Sequence, residues 1–400
     1  MNRLTIGNAF QVNPRVSIKR GTEVPFITMD RLKPGHRDVT ATETRAFSSG
    51  SKFEAGDTLM ARITPSLENG KIARYLPENA DERAAGSTEF IVLRGKPGVT
   101  ITDFAYYFVT TPVVHDLSVS LMTGTSGRQR VDIDAFCAME VAIPDLGTQH
   151  SIVTILGALD DKIAANLTAV QKTDALAIAL VGMRSQDASQ TPLSELTSQI
   201  SRGVAPKYDD SGKFIVLNQK CIRDSQVDIA RARLMKSLPK NPGKVLRQND
   251  VLVNSTGQGT LGRIARWTSS ERNTSVDSHV SIVRFDPEVA DPAFAGTVLS
   301  TMEHLVEDLA EGSTGQTELK RDLLGSLELS LPPLDVQREV GQQIELLDEL
   351  CRTRIEENLI LAKTRDELLP LLMSGKITVK EAEQEATAAG AVIAGEENEA

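Results

Sequence analysis

Two stretches of the chain place apolar residues alternately four and three apart. One seam runs through Ile152, Leu156, Leu159, Ile163, Asn166, Val170, Thr173, Ala177 and Leu180, over about 148–183. The other runs through Val340, Ile344, Leu347, Cys351, Leu361, Leu368 and Leu372, in more charged sequence. This heptad spacing predicts two long helices, each roughly 55 Å at 1.5 Å per residue. Pro370 predicts a kink or a late end in the second. A buried seam needs a partner, and the nearest partner for each helix is the other. Their order in the chain predicts an antiparallel pair. The competing reading is two amphipathic helices, each packed on its own domain.

Between the helices the pattern changes to short, β-branched apolar runs bounded by Gly, Pro, Asn and Asp. PFITM, GDTLMARI and EFIVLR lie in the first half, and KFIVLN, NDVLVNS and HVSIVRF in the second. These predict strands. Helical patterns follow at 103–114 and 292–310, and then strands ending in proline at MEVAIPDL and LELSLPPL.

The two halves are copies. GTSGRQRVDIDAFCAMEVAIPDLGTQHSIV from Gly124 resembles GSTGQTELKRDLLGSLELSLPPLDVQREV from Gly312, at an offset of 188. That offset pairs Pro144 with Pro332, Gln149 with Gln337, Leu159 with Leu347 and Asp160 with Asp348, and also Phe26-Ile27 with Phe214-Ile215. The stretch from Phe53 resembles that from Leu246, with Asp57 opposite Asp250, and Ser87 onward resembles Asp277 onward. A period near 190 means one domain and its connector, written twice. The expected fold is α+β: two repeated mixed α/β domains separated by two long antiparallel coiled-coil helices. The expected boundaries are 1–145 and 191–332 for the domains, 146–190 for the central helix, 333–380 for its partner, and 381–400 for an acidic, Ala/Gly-rich, disordered tail.

Composition first points away from DNA. The chain of 400 residues has a net charge of −10. However, −8 of it falls in residues 332–400, which hold 7 basic and 15 acidic residues. The rest is nearly neutral. Neutral domains imply weak electrostatic binding on their own, so partners are expected to supply much of the phosphate grip. No apolar stretch approaches the 18 or so residues of a membrane span, and the N-terminus lacks the apolar core of a signal peptide. Cys137, Cys221 and Cys351 are too far apart in sequence for a zinc pair or a disulfide framework. A reducing cytoplasm is the expected compartment.

The sequence shows no metal-spaced histidine cluster, nucleophile elbow or Walker A motif. Gly257-Gln258-Gly259-Thr260-Leu261-Gly262 has the spacing of a dinucleotide loop, but a strand-like segment follows it, not a helix. What both copies share there is strand, polar loop, glycine, basic residue, strand, with Lys71 and Arg74 opposite Arg263 and Arg266. Hydroxyls and amides in such loops can meet base edges and phosphates, and the Arg or Lys can meet guanine or phosphate. In the first copy the candidates are Arg62, Thr64, Asn69, Lys71 and Thr88, then Ser126, Arg128, Gln129 and Arg130. In the second they are Lys207, Tyr208, Asn218 and Lys220, then Asn254, Ser255, Thr256, Gln258, Thr260 and Arg263, with His279, Thr314 and Gln316. Glu318-Leu319-Lys320 and Asp250 are the residues a nuclease reading would use.

Taken together, these stretches resemble the specificity (S) subunits of Type I restriction–modification enzymes. The resemblance covers roughly residues 12–378. It rests on Arg202–Tyr208, Val216–Ile222, Leu252–Arg263, Leu59–Pro65, Glu68–Lys71, Gly86–Phe90 and Gly124–Arg130, and on Pro332–Arg338 with the helix running to Leu371–Ile377. It implies a non-catalytic DNA reader whose two domains each read one half of a split, asymmetric target. It also implies that the helices act as a ruler and as a dock for two methyltransferase (M) subunits. Those subunits would carry S-adenosylmethionine. A helicase–nuclease (R) subunit would use ATP and Mg, and this chain would hold no cofactor itself. The reading from another class is a coiled-coil scaffold without sequence-specific DNA binding.

Overall fold

The computed structural model describes residues 2–79, 81–125, 127–186, 188–269, 271, 273–309 and 318–393. The chain divides into two compact units, Met1–Leu167 with Ile355–Ala400, and Thr168–Arg354.

In the first unit, β1 (Phe10–Val12), β2 (Thr58–Ala61), β3 (Ile72–Tyr75) and β4 (Phe90–Gly95) form a sheet in the order β1-β4-β2-β3, with a short strand Asp38–Val39 at the outer edge. The β2–β3 hairpin and the β2–β4 pair are antiparallel, with Phe90 opposite Ala61 and Leu93 opposite Thr58. Thr58–Ala61 is buried throughout, which explains its unbroken apolar run. A second sheet, ordered 44–46, 23–27, 84–86, 51–53, packs beside the first. Helix α1 (Thr102–Thr110) buries Phe104, Tyr107 and Phe108 in the core. The helical pattern predicted over 103–114 breaks at Thr111, because Pro112 cannot donate to the preceding turn and instead opens a new helix, Pro112–Ser120. Helix α2 (Leu146–Arg184) then starts, and Asp145 accepts the Thr148 amide and hydroxyl, both at 2.9 Å.

The second unit repeats this plan. Strands β5 (Thr197–Arg202), β6 (Val251–Asn254), β7 (Ile264–Arg266) and β8 (Val280–Phe285) form a sheet ordered β5-β8-β6-β7. Helix α3 (Pro292–Ser300) covers it, and the chain continues into α4 (Leu334–Ser374), which passes through Pro370. The register corrects one expected pairing. Ser87 donates to Ile27 and Asp277 donates to Leu217, so the counterpart of Phe26-Ile27 is Val216-Leu217 rather than Phe214-Ile215. Two phenylalanines produced the apparent match at offset 188, but the strand ladder runs at 190.

The long helices do not form a separate layer. In the first unit Ile152, Leu156 and Leu159 of α2 and Leu361, Leu368 and Leu372 of α4 share one core with α1. Asp160 meets Arg365 at 2.7 Å, and Asn166 meets Glu357 and Asn358 at 2.9 Å each, so these segments run antiparallel. Ile163 is half-buried beside them. In the second unit Ala177 and Val181 share a core with Val340, Ile344 and Phe294, packed on by Leu347, and Val170 is buried. The seam and the packing on each helix's own domain are therefore both real. The expected helical segments 146–190 and 333–380 are each divided between the two units, because the seam side chains also serve as the units' cores.

The tail also departs from expectation. A helix, α5 (Val379–Ala388), follows a capping box in which Thr378 and Glu381 exchange hydrogen bonds of 2.9 and 3.2 Å. Ala382, Ala386 and Ala391 are buried in the first core. The expected disorder from 381 is thus wrong through 393, and 394–400 lie outside the described residues. Small alanines fit where a large apolar face was sought. Ala386→Asp should bury a charge with no partner. We expect it to lower the unfolding free energy by about 3 kcal/mol in chemical denaturation, and an unchanged midpoint would contradict the packing of α5.

Candidate nucleic-acid interface

At one end of each sheet three segments converge on a single backbone junction. In the first unit the Arg62 amide donates to the Glu89 carbonyl at 2.9 Å, and the Val131 amide to the Arg62 carbonyl at 2.8 Å, with Ile63 bridged to Arg130. In the second, Ser255 donates to His279 at 2.9 Å and Leu319 to Ser255 at 2.9 Å, with Thr256 bridged to Glu318. The hydrogen bonds therefore equate Arg62 with Ser255, Glu89 with His279 and Arg130 with Glu318. The backbone is the same and the side-chain chemistry is exchanged.

In the first unit the junction holds an ion-pair cluster. Arg130 donates to Glu89 through Nε at 3.0 Å and Nη2 at 2.7 Å, and Arg62 Nε lies 3.7 Å away. The hydrogen bond from Arg130, only partly opposed by burial, holds the Glu89 carboxyl below its usual range. Thr64 Oγ1 accepts from the Gln129 amide and closes the loop pair. In the second unit Arg202 supplies the guanidinium from another strand, bonding Glu318 at 2.8 Å and the Leu319 carbonyl at 3.1 Å. Thr256 and His279 are joined at 2.7 Å. Glu89, Arg202 and Glu318 as a partner of arginine were missed as interface residues.

The other candidates separate into two kinds. Asn69, Thr88, Arg128, Lys207, Tyr208, Lys220, Gln258 and His279 are exposed, and the Arg233 guanidinium stacks on Tyr208 at 3.5 Å. Asn254 and Ser255 are fully buried, which corrects their expected role. Asn254 Nδ2 holds the Gln219 and Thr260 carbonyls, and Ser255 bonds Ser281. They build the loop and do not face outward, because a hairpin turn buries the groups at its neck. Lys71 is half-buried and spent on the Met29 carbonyl, Asn218 caps a short helix, and Thr260 and Arg263 bond the Gly257 and Gly259 carbonyls. Ser126, Thr314 and Gln316 lie outside the described residues. The glycine loop 257–262 leads into strand β7 with all three glycines at positive φ, so it is a hairpin turn.

The nuclease candidates are engaged elsewhere: Asp250 is buried against Arg284 at 2.6 Å, and Glu318 is paired with Arg202. Among the described residues no group of His, Cys, Asp and Glu could hold a metal ion, and no helix is long and apolar enough to cross a membrane. Burial first, then Asp174 and Asp348, pushes the Cys351 thiol up to about 12, leaving it a packing group.

Two copies of one sheet module, each presenting loops of differing chemistry from the same junction, define a bivalent recognition protein. Residues 8–172 match the family described as Type I restriction modification DNA specificity domain. The chain is 21% identical to the Type I restriction enzyme HindI specificity subunit of Haemophilus influenzae, over 86% of this chain and 91% of that one. Identity to the MjaX specificity subunit of Methanocaldococcus jannaschii is 29% over 98 residues, 24% of this chain, which spans only 23% of that relative. The crystal structure of a Type I restriction–modification S subunit from M. genitalium shares the fold, with a TM-score of 0.54 at 15% identity over 93% and 95% of the two chains. Residues 8–172 thus carry a Type I restriction modification DNA specificity domain, and the whole chain is similar in sequence and fold to specificity subunits of that class.

Glu89 provides a pH test. Its carboxyl ordinarily titrates near 4.5 and lies lower in the folded chain, so the pair's stabilisation is present above 4.5 and is lost as pH falls through the lower folded value. Because the pair is largely solvated, the contribution is below about 1 kcal/mol. Unfolding free energies of the wild type and Glu89→Gln should differ by a constant amount at neutral pH and converge in acid. A difference that grew on acidification would contradict the pairing.

Proposed function

We propose that each unit reads one half of a bipartite, asymmetric DNA target, and that the long helices dock methyltransferase subunits. The observation that carries this reading is the junction itself. An identical hydrogen-bond frame presents Arg62, Glu89 and Arg130 in one unit, and, above a buried Ser255, His279 and Glu318 with Arg202 in the other. A frame kept while its side chains change suits two different half-sites read by one geometry. Arg130 held edge-on by Glu89 has its planar fork oriented, as bidentate contact with guanine requires. The docking part is supported by apolar side chains left outward on the helices: Leu346 at 72% and Leu350 at 44% exposure in the second unit, and Leu359 at 69% in the first. S-adenosylmethionine, and ATP with Mg, would act on the partner subunits, and the chain would work in the cytoplasm.

The test is a complex reconstituted with its methyltransferase subunits and titrated against a library of split DNA targets. Arg130→Ala should cost about 1–3 kcal/mol of discrimination at one half-site and leave the other unchanged. Arg263→Ala should loosen the turn that places Thr256 and Gln258 and affect only the other half-site. A complex with no preference for any bipartite target would overturn the reading.

A further inference from the structure

Beside the first junction the sheet edge opens into a cavity of about 630 Å³ whose lining includes Arg15, Lys52, Arg62, Ser51 and Thr88, with no carboxylate among its lining residues. Its walls are prebuilt. Gly50 has φ +127, and a Cβ there would lie 2.2 Å from the Gly86 carbonyl, so the turn carrying Ser51 and Lys52 closes only on glycine. Lys52 Nζ sits 4.9 Å over the Phe47 ring, which holds the ammonium in place. Asn13 is bound to both polar groups of Val92, its amide to the Val92 carbonyl at 2.7 Å and its Oδ1 to the Val92 amide at 3.0 Å. This fixes the start of the irregular segment after β1 that carries Arg15. Arg62 Nε is buried at the junction without a hydrogen-bond partner. Its nearest acceptor is Glu89 at 3.7 Å, beyond hydrogen-bond reach, so Arg62 adds charge at the cleft's inner edge while Arg15 and Lys52 carry the open side.

The second unit does not repeat these side chains. The strand ladders put Val245 where Lys52 stands, Ser255 where Arg62 stands, and Ser278 where Thr88 stands. Aligning Val12 with Ile200 puts Gly203 opposite Arg15. The same space is also bridged from within. Gln199 donates to the Gly243 carbonyl at 2.9 Å, and Lys244 Nζ donates to the Arg202 carbonyl.

We propose that this cleft of the first unit seats phosphates of the DNA backbone. The proposal rests on the DNA reading above. Arg15, Lys52 and Arg62 supply the charge, while Ser51 and Thr88 offer hydroxyl donors to phosphate oxygens. None of this selects a base. The cleft sets affinity and its salt dependence, and the loops beside it set sequence. Residues 1–145 hold 17 basic and 17 acidic residues, a balance that conceals this local concentration of cations.

The experiment uses the reconstituted methyltransferase complex and measures binding of target DNA from 50 to 200 mM salt. Each phosphate contact contributes about 0.9 to the slope of log K against log salt, so Arg15→Gln with Lys52→Gln should lower the slope by about 2. The loss of affinity across that salt range should then be about tenfold smaller, with the preference between matched and mismatched half-sites unchanged. Lys52→Arg should retain the wild-type slope. Val245→Lys, in the uncharged counterpart, reports whether the second unit can be given the same grip, and an increased slope supports the assignment. An unchanged slope in the double variant, or a loss confined to one base identity, overturns it. So does a mononucleotide or inorganic phosphate that raises the melting temperature of the wild type but not of the double variant while the DNA slope stays fixed. That result would make the cleft a small-anion site. If the wild-type complex prefers no bipartite target, it is the DNA reading itself that fails.

Discussion

A buried carboxylate–guanidinium pair fixes the register on which each unit is built. Asp57 is fully buried and accepts Arg94 Nε at 2.6 Å and Nη2 at 2.7 Å, and its second oxygen also takes the Glu54 amide at 2.8 Å. Asp250 repeats this with Arg284 and the Arg247 amide. Burial pushes the Asp57 carboxyl up, against the arginine and the amide that hold it down. Breaking such a pair by removing one partner costs about 3–5 kcal/mol, because the other charge stays buried. The carboxylate lies at the start of a central strand and the arginine near the end of the neighbouring one. A slip of one residue would put every side chain of β2 or β6 on the wrong face. At the opposite ends of the same strands, Arg62 meets Glu89 and Ser255 meets His279. The interface therefore inherits its geometry from a pair that takes no part in recognition.

A second fixed point ties each long helix to its sheet. Gln149 accepts from the Ile101 amide and donates to the Val99 and Pro144 carbonyls, while Gln337 accepts from Asp291 and donates to Pro332. Asp160 with Arg365 and Tyr107, and Asp348 with Arg266, add a buried ionic contact one helical stretch further on. Each helix end is thereby a wall of its unit and not a detachable rod. Within the first unit Asn166, at a seam position, meets Glu357 and Asn358. A polar group placed this way favours one register over others at some cost in stability.

The two units show how one frame carries two sets of side chains. The buried pairs and the glutamine locks leave little freedom, since each is satisfied within the core. The residues above the junction face water, so Arg130 can stand where the other unit has Glu318 without disturbing the strands beneath. The phosphate cleft follows the same logic, being open and cationic in one unit and bridged in the other.

Much of this was legible in the chain itself. The heptads, the repeat, the strand runs and the pairing of Gln149 with Gln337, Asp57 with Asp250 and Asp160 with Asp348 all follow from periodicity and local chemistry, which any helix or strand must obey. The alanine-rich segment behind the Thr378–Glu381 capping box lacks the bulk by which buried helices are usually recognised. Which polar residues face outward was not legible. Asn254 and Ser255 read as loop donors, yet they are buried at the neck of their turn, while Glu89 and Arg202 gain their meaning from strands about 40 and 115 residues away. Sequence determined the elements and their duplication, because those depend on neighbours along the chain. Only the tertiary structure decided which charges cancel, which are sequestered and which stay exposed, because the effective charge of a side chain depends on what the fold brings within hydrogen-bond reach.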